Sequence, residues 1–177
     1  MKTSLVLTCI GPDRHGLVEA LARAVAEHDG NWVESRMARL AGKFAGVLRV
    51  DLPEERAADL TKALEGLSGA GLRVTVEPSR EEESRAPSRL VQLALVGRDR
   101  PGIVRDVSRV LAARGVNVEE LETECTSAPE SGEPLFQANA TLHVPEALST
   151  DDLRTALEEI ANDLMVDVVL EDAAKGR

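Results

Sequence analysis

Two short turns of the chain contain residues suited to binding a small anion. The pattern Gly-x-Asp-Arg-x-Gly occurs at residues 11–16 and again at 97–102. Each turn follows an apolar run and precedes apolar residues at helical spacing, so its free N–H groups would lie at the positive end of a helix. Such a place favours a carboxylate. Asn31 and Asn117 lie downstream at equivalent positions, and an Asn amide can donate to a carboxylate while accepting from an ammonium.

A purely structural interpretation of the same pattern stays open. The motif would then be a tight turn in which Asp13 and Asp99 cap the following helices, with Pro101 in the first helical turn. Arg14 and Arg100 would pair with surface acids. Trp32 is interpreted as a core residue at the start of a strand, with a lid over a small pocket as the alternative.

No other residues form a recognisable reaction centre. None of the three His belongs to a nucleophile motif, and no Walker, GxSxG or HExxH pattern is present. The acidic groups at 81–83 and 151–152 are interpreted as solvated charges. Cys9 and Cys125 are too far apart in sequence for a metal-ligand motif. The sequence therefore predicts no enzyme, no metal and no cofactor.

The charge of the chain excludes several partners. Acids outnumber bases 31 to 21, which gives a net charge of −10 at pH 7. A surface this negative repels nucleic-acid phosphates and anionic lipid, and no basic stripe interrupts it. We therefore expect no direct binding to nucleic acid or membrane. Two unpaired thiols and the absence of a signal peptide or apolar span predict a cytoplasmic protein.

The elements that would position the turns occur twice. A shift of 86 residues aligns residues 11–34 with 97–120, and nine of these 24 positions are identical. Each copy reads as β-α-β-β-α-β, with Gly ending the first helix near residues 29–30 and 114–115. This is the ferredoxin-like arrangement, an α+β fold with antiparallel sheets and helices on one face. The predicted boundaries are domains at 1–77 and 90–171, a charged linker at 78–89 and a frayed tail at 172–177.

Each copy resembles an ACT domain, a small-molecule-sensing module of amino-acid metabolism. The resemblance rests on the turn and helix start at 11–18 with Asn31, and at 97–104 with Asn117. The tandem order, the linker and the segment at 31–50 resemble, more narrowly, the glycine cleavage system transcriptional repressor family.

The resemblance implies a function and a set of site residues. It implies a regulatory protein that senses a small amino acid, glycine or serine, and modulates a DNA-binding transcriptional regulator by protein–protein contact, as a homo-oligomer, most simply a dimer. His15 stands where the family more often has Pro, so the two sites need not be equivalent. A ligand-free ACT-fold interaction module is the alternative. The implied ligand-binding residues are Gly11, Asp13, Arg14, His15, Gly16, Asn31, Gly97, Asp99, Arg100, Gly102 and Asn117.

Overall fold

The chain folds into two compact units. The computed structural model describes residues 1–79, 87–128 and 132–172. The units comprise residues 1–82 and 83–177, called domain 1 and domain 2 below.

Domain 1 has the predicted order of elements. Its four strands form one antiparallel sheet in the order β2-β3-β1-β4. Two short 3₁₀ turns flank the second helix, at Glu54–Arg56 and Leu67–Ala70. The main elements are β1 (Lys2–Pro12), α1 (Leu17–Glu27), β2 (Asn31–Leu40), β3 (Lys43–Pro53), α2 (Ala57–Gly66) and β4 (Arg73–Pro78).

Domain 2 repeats this topology, with the strand order β6-β7-β5-β8. The predicted α+β class with two ferredoxin-like domains is confirmed. Its elements are β5 (Ser88–Arg98), α3 (Ile103–Ala113), β6 (Asn117–Ser127), β7 (Pro134–Pro145), α4 (Thr150–Leu164) and β8 (Val166–Asp172).

Each domain has one core, between its sheet and its two helices. Successive strand side chains point to opposite faces, so Leu5, Leu7 and Cys9 of β1 all face the helices and are buried. Helix α1 contributes Leu17 and Leu21 to the same core, at the four-residue spacing of one helix face. Among the described residues, no helix of the same domain covers the opposite face of either sheet.

The duplication extends to an irregularity of the sheet. The register of β2 against β3 shifts between Trp32 and Glu34, and that of β6 against β7 shifts between Val118 and Glu120. These two bulges are 86 residues apart, which is the spacing of the sequence repeat. A bulge inserts one residue and redirects the strand, so both domains bend the same edge strand at the same place.

Several predicted boundaries were wrong. Strand β5 begins at Ser88, inside the predicted linker, and Asp172 ends β8 instead of starting the tail, because Thr150 and Arg89 donate hydrogen bonds to its carboxylate. The left-handed residue after α1 is Asp29, with φ 57°, and not Gly30, whereas Gly115 does end α3 as predicted. The rest of the predicted linker and tail, residues 80–86 and 173–177, lies outside the described residues.

Candidate ligand-binding site

The glycines of the domain 1 turn have specific backbone roles. Gly11 lies in β1 beside the start of β4, where a Cβ would stand 2.7 Å from the Gly71 carbonyl oxygen. Gly16 has φ 86°, the left-handed conformation that other residues adopt at a cost of about 1–2 kcal/mol. The first glycine therefore permits a close approach of strands, and the second allows the chain to turn into α1.

The domain 2 turn uses its glycines in the same way. A Cβ on Gly97 would stand 2.8 Å from both the Met165 carbonyl oxygen and the Val166 Cα. Gly102 has φ 101° and precedes α3. The spacing of the motif glycines thus follows from the fold alone, in agreement with the structural interpretation of those two positions.

The predicted capping role of the two aspartates was wrong. The N-cap residues of α1 and α3 are Gly16 and Gly102, and neither helix has a side-chain cap. Asp13 instead forms an ion pair with Arg39, with Oδ2 3.0 Å from Nε. The backbone N–H of Asp13 donates to Gly42, and that of Asp99 donates to Pro134, so each turn is fastened to the hairpin behind it.

Both first helices therefore begin with backbone N–H groups that no side chain satisfies. Helix α4 shows the contrast: Ser149 accepts from the N–H of Asp152 at 3.0 Å. Pro101 lies before the Gly102 cap and so outside α3, which corrects its predicted place in the first helical turn. An uncapped helix start attracts negative charge by about 0.3–1 kcal/mol when exposed, and by up to about 2 when partly buried.

In domain 1 the turn that leads into α1 contains a cation. The Arg14 guanidinium lies next to Gly71, with Nη2 3.2 Å from the place a Cβ on Gly71 would occupy. Within the described residues Arg14 has no ion pair, contrary to the prediction that it pairs with a surface acid. His15 is exposed in the same turn. Arg39 is a site neighbour that the sequence did not single out, although it lies on the alternating hairpin that faces the turn.

In domain 2 the chain's own ion pair lies at the helix start itself, whereas the equivalent Gly16 of domain 1 has nothing within 4 Å of a Cβ position. Arg105 donates to both carboxylate oxygens of Asp106, at 3.0 and 3.1 Å, and both side chains lie within 4 Å of the place a Cβ on Gly102 would occupy. The hydrogen bond from Arg105 and the positive charges of Arg105, Arg109 and Arg100 lower the pKa of Asp106. A carboxylate that stays charged at the start of α3 competes with any bound anion.

Asp99 also has a different neighbour from Asp13. Cys125 occupies the position that Arg39 holds in domain 1. Partial desolvation, the negative charge of Asp99 and a hydrogen bond to that carboxylate raise the pKa of the Cys125 thiol. The second turn therefore has a carboxylate without the cationic partner that neutralises Asp13.

The two asparagines lie far from the turn of their own domain. Asn31 is level with Ser4 across β3, and Asn117 is level with Leu90 across β7. In each domain this is seven residues along the first strand from the turn glycine, a distance of about 23 Å at 3.3 Å per residue. An amino acid is too small to span that distance, so no single ligand contacts an Asn and the turn of the same domain.

Two clefts occur elsewhere in the domains, and neither includes a turn residue. A cleft of about 30 Å³ in domain 2 lies between α3 and β6, with Val104, Val118 and Leu121 in its apolar lining. It has room for about one water, not an amino acid. Trp32 occupies the position of Val118 in domain 1, where the half-buried indole packs against the core. The larger cleft, about 680 Å³, lies on the uncovered sheet face of domain 1 and includes Arg49.

Other site classes receive no support from the described structure. Across residues 1–79, 87–128 and 132–172, no three His, Cys, Asp or Glu side chains are grouped as metal ligands would be. In the same ranges, no helix has the length and apolar character needed to cross a membrane.

Comparison with known families identifies both halves of the chain. ACT domain models match residues 3–77 and residues 91–162. The first match spans the sheet and helices of domain 1, the second runs from β5 into α4 and ends before β8, and together they span most of the chain.

Individual relatives share the tandem arrangement. The glycine cleavage system transcriptional repressor of Escherichia coli (strain K12) is 24% identical over 164 residues, which is 90% of this chain and 85% of that protein. A solved structure of an unknown protein from Galdieria sulphuraria is 32% identical with a TM-score of 0.87, over 98% of this chain and 100% of that one. A protein provisionally described as a glycine cleavage system transcriptional repressor has a TM-score of 0.73 at 17% identity, over 99% of both chains, and shows the shared fold.

Proposed function

The chain belongs to the ACT-domain family, and from this premise we propose that it is a non-enzymatic sensor of a small amino acid, glycine or serine. In this proposal the bound amino acid changes the contact between the protein and a transcriptional regulator. Binding must favour one arrangement of the protein over another, since a ligand with equal affinity for both transmits no signal. The relation to the Escherichia coli repressor supports the regulatory part of the proposal.

One observation carries the proposed ligand site. In the turn of domain 1, Gly16 at the uncapped start of α1 follows Arg14 by two residues, and Arg14 has no ion pair within the described residues. Backbone N–H groups and a guanidinium are complementary to a carboxylate, and a hydrogen bond to a charged group contributes about 1.5–3 kcal/mol. We place the ligand carboxylate at this turn. Gly11, Asp13, His15 and Gly16 shape its surroundings.

The second turn is proposed as the weaker site. The Arg105–Asp106 pair lies over Gly102, and Asp99 is next to a thiol instead of an arginine. Gly97, Arg100 and Asn117 remain candidate contacts there. The turns of their own domains are about 23 Å from Asn31 and Asn117. Each Asn would therefore bind the ammonium only of a ligand whose carboxylate lies at the turn of another ACT domain.

The size of glycine limits its affinity. At about 1.5 kcal/mol for each of five heavy atoms, the lowest attainable Kd is a few micromolar. A sensor of an abundant metabolite needs no tighter binding.

The proposed partner is a DNA-binding transcriptional regulator, contacted through protein and not through DNA. The net charge of −10 agrees with a protein partner, since nucleic acid would be repelled. Both cysteines are free thiols, which suits a reducing cytoplasm, and we propose that location. We also propose a homodimer.

A calorimetric titration with glycine, serine and two fragments tests the sensor function. Methylamine lacks the carboxylate and acetate lacks the ammonium, so saturable heat with glycine but with neither fragment would support recognition of both groups. The Asn31→Ala/Asn117→Ala double variant should bind less tightly if the amides receive the ammonium. No heat with any amino acid at tens of millimolar would contradict the proposal.

The alternative is a ligand-free interaction module, and one observation favours it. The motif glycines have complete structural explanations at the strand approach and at the helix start. In that case the regulator binds constitutively, and a pull-down of the regulator is the same with and without glycine. Ligand-dependent capture would exclude this alternative.

A further inference from the structure

The uncovered faces of the two sheets differ strongly in charge. Open face 1 is the side of the domain 1 sheet opposite α1 and α2, and open face 2 is the corresponding side of the domain 2 sheet. Between the levels of Ser4 and Ile10, open face 1 has three arginines and three carboxylates: Arg36, Arg49, Arg73, Glu34, Asp51 and Glu77.

Open face 2 has only carboxylates among its Asp, Glu, Lys and Arg positions between the levels of Leu90 and Val96, whereas Arg98, one level further along β5 on the same side, forms an ion pair with Glu133. Between the levels of Leu90 and Val96, the described strands place five acids on this side and no Lys or Arg. Arg36 of domain 1 corresponds to Glu122 under the repeat of 86 residues, and Arg73 corresponds in the sheet to Asp167. The five acids are Glu120, Glu122, Glu124, Asp167 and Glu171.

Both faces have an exposed apolar centre. On open face 1, Ile10 and Val47 are 39% and 42% exposed, and on open face 2, Val96 and Val169 are 38% and 51% exposed. Exposed apolar side chains surrounded by charged ones are typical of a docking surface. In such a surface the apolar side chains exclude water and the charged side chains around them select the partner.

The charges indicate which surface each face can meet. Two copies of open face 2 would bring ten carboxylates together, and such like-charge contacts cost several kcal/mol. Open face 1 instead offers arginines to the acids of open face 2. Sheets that pack face to face lie about 10 Å apart, within reach of these long side chains.

The area of the faces indicates the symmetry. Four strands at about 4.8 Å spacing and seven residues at about 3.3 Å give a face of about 450 Å². One face-to-face contact then buries about 900 Å² in total, which is less than the 1,200–2,000 Å² or so of a stable interface. Two reciprocal contacts bury about 1,800 Å², which lies within the range of a stable interface, and a symmetric pair of chains has two such contacts.

We propose that two copies of the chain form a symmetric dimer in which open face 1 of each copy packs on open face 2 of the other. The inference rests on the homodimer part of the proposed function and names its surfaces. It is independent of ligand binding, so every measurement below is made without amino acid.

Charge reversal on each face tests the contact. Arg49→Glu/Arg73→Glu makes open face 1 acidic, and Glu122→Lys/Glu171→Lys makes open face 2 basic. Sedimentation velocity should show a dimer for the native chain and a dimer Kd weaker by about 10- to 100-fold for each variant. Glu158→Lys/Glu159→Lys on the exposed side of α4 is the matched control and should leave the Kd unchanged. Circular dichroism and Trp32 fluorescence verify that each variant is folded.

Mixing the two variants distinguishes contact between copies from a general loss of association. Face-1-reversed and face-2-reversed chains offer acid against base at both contacts, so an equimolar mixture should form a heterodimer more tightly than either variant dimerises alone. Three results would overturn the inference: a mixture that stays monomeric, a dimer that neither reversal weakens, or a monomeric native chain. A monomeric native chain would also remove the homodimer from the proposed function. Glycine binding is tested separately, by its own titration.

Discussion

The turns of the two domains share a backbone and differ in the side chains around it. Both have glycine at the strand approach, a left-handed glycine before the helix and an aspartate N–H that donates to the hairpin. The residue facing the aspartate is Arg39 in domain 1 and Cys125 in domain 2. The residue in the first turn of the helix is Ala20 in domain 1 and Asp106 in domain 2. Duplication has kept the geometry of the turn, whereas its charge has diverged.

The second strands of the domains differ in a related way. In β2 the side chains of Trp32, Ser35 and Met37 are half-buried, whereas all eleven residues of β6 are exposed. The larger side chain at position 32 covers the edge of the core that Val118 leaves as a small cleft. The same fold therefore tolerates a well-covered edge and an open one.

The largest difference that we expect between the domains concerns the turn glycines. Gly97→Ala should lower the free energy of unfolding of domain 2 by about 2–3 kcal/mol, because the new Cβ meets backbone atoms of β8 that cannot move separately. Gly11→Ala should cost domain 1 about 1–2 kcal/mol, since only the Gly71 oxygen lies closer than 3.0 Å. Urea unfolding measures both.

The single tryptophan separates the two transitions. Trp32 fluorescence reports unfolding of domain 1, and far-ultraviolet circular dichroism reports both domains. Gly97→Ala should shift the circular dichroism curve and leave the fluorescence midpoint in place. Equal losses of unfolding free energy for Gly11→Ala and Gly97→Ala would contradict the claim that the closer strand contacts of Gly97 make its substitution more costly.

A smaller effect is expected from exchanging the edge residues of the second strands. Trp32→Val should cost domain 1 about 1–2 kcal/mol, because a half-buried indole loses part of its contact with the core. Val118→Trp should stabilise domain 2 by up to about 1 kcal/mol by covering the cleft beside Leu121. Thermal unfolding checks both variants, and a destabilised Val118→Trp would show that the open edge cannot accept the indole.

The smallest effect is expected from the acid at the start of α3. The pKa of Asp106 is lowered in the folded protein, so its stabilisation is present above the unfolded value near 3.9 and is lost as the pH falls through the folded pKa. Asp106→Asn should make domain 2 slightly less stable at pH 7 and less sensitive to acid below pH 4 or so. Domain 1 has Ala20 there, and Ala20→Asp is the reciprocal variant. The measurement is the unfolding midpoint as a function of pH. If the midpoints of Asp106→Asn and the native protein are identical at every pH, the lowered pKa of Asp106 does not contribute to stability.

The fold could be predicted from the sequence because its signals are local and repeated. Alternating apolar residues, helical spacing in α1 and α3, and the Ser149 cap each depend on neighbours within a few residues. The same pattern of apolar residues occurs in both domains, so the elements predicted in one copy support those predicted in the other. Helix ends were predicted less well, because Asp29 supplies the left-handed residue where Gly30 stood as the obvious candidate.

The candidate site was only partly predictable, because it depends on contacts distant in sequence. Asp is a residue type that commonly caps helices, but Asp13 forms an ion pair with Arg39 of the hairpin instead. The distance of Asn31 from its own turn follows from strand order, which places β3 between β1 and β2. The difference in charge between the two open faces also depends on the register of all four strands. The residue types in the sequence indicated which side chains could bind a ligand. The contacts that those side chains make could be identified only from the fold.

Calorimetric titration of glycine into Arg14→Ala and Arg100→Ala, beside the native protein, tests the central claim most directly. These are matched positions on the same backbone. If domain 1 holds the ligand carboxylate, Arg14→Ala should weaken binding by about 10- to 150-fold, the loss of a charged hydrogen bond, and Arg100→Ala should change it less than about twofold. Equal losses for the two variants, or a larger loss for Arg100→Ala, would contradict the claim that the turns have diverged in function.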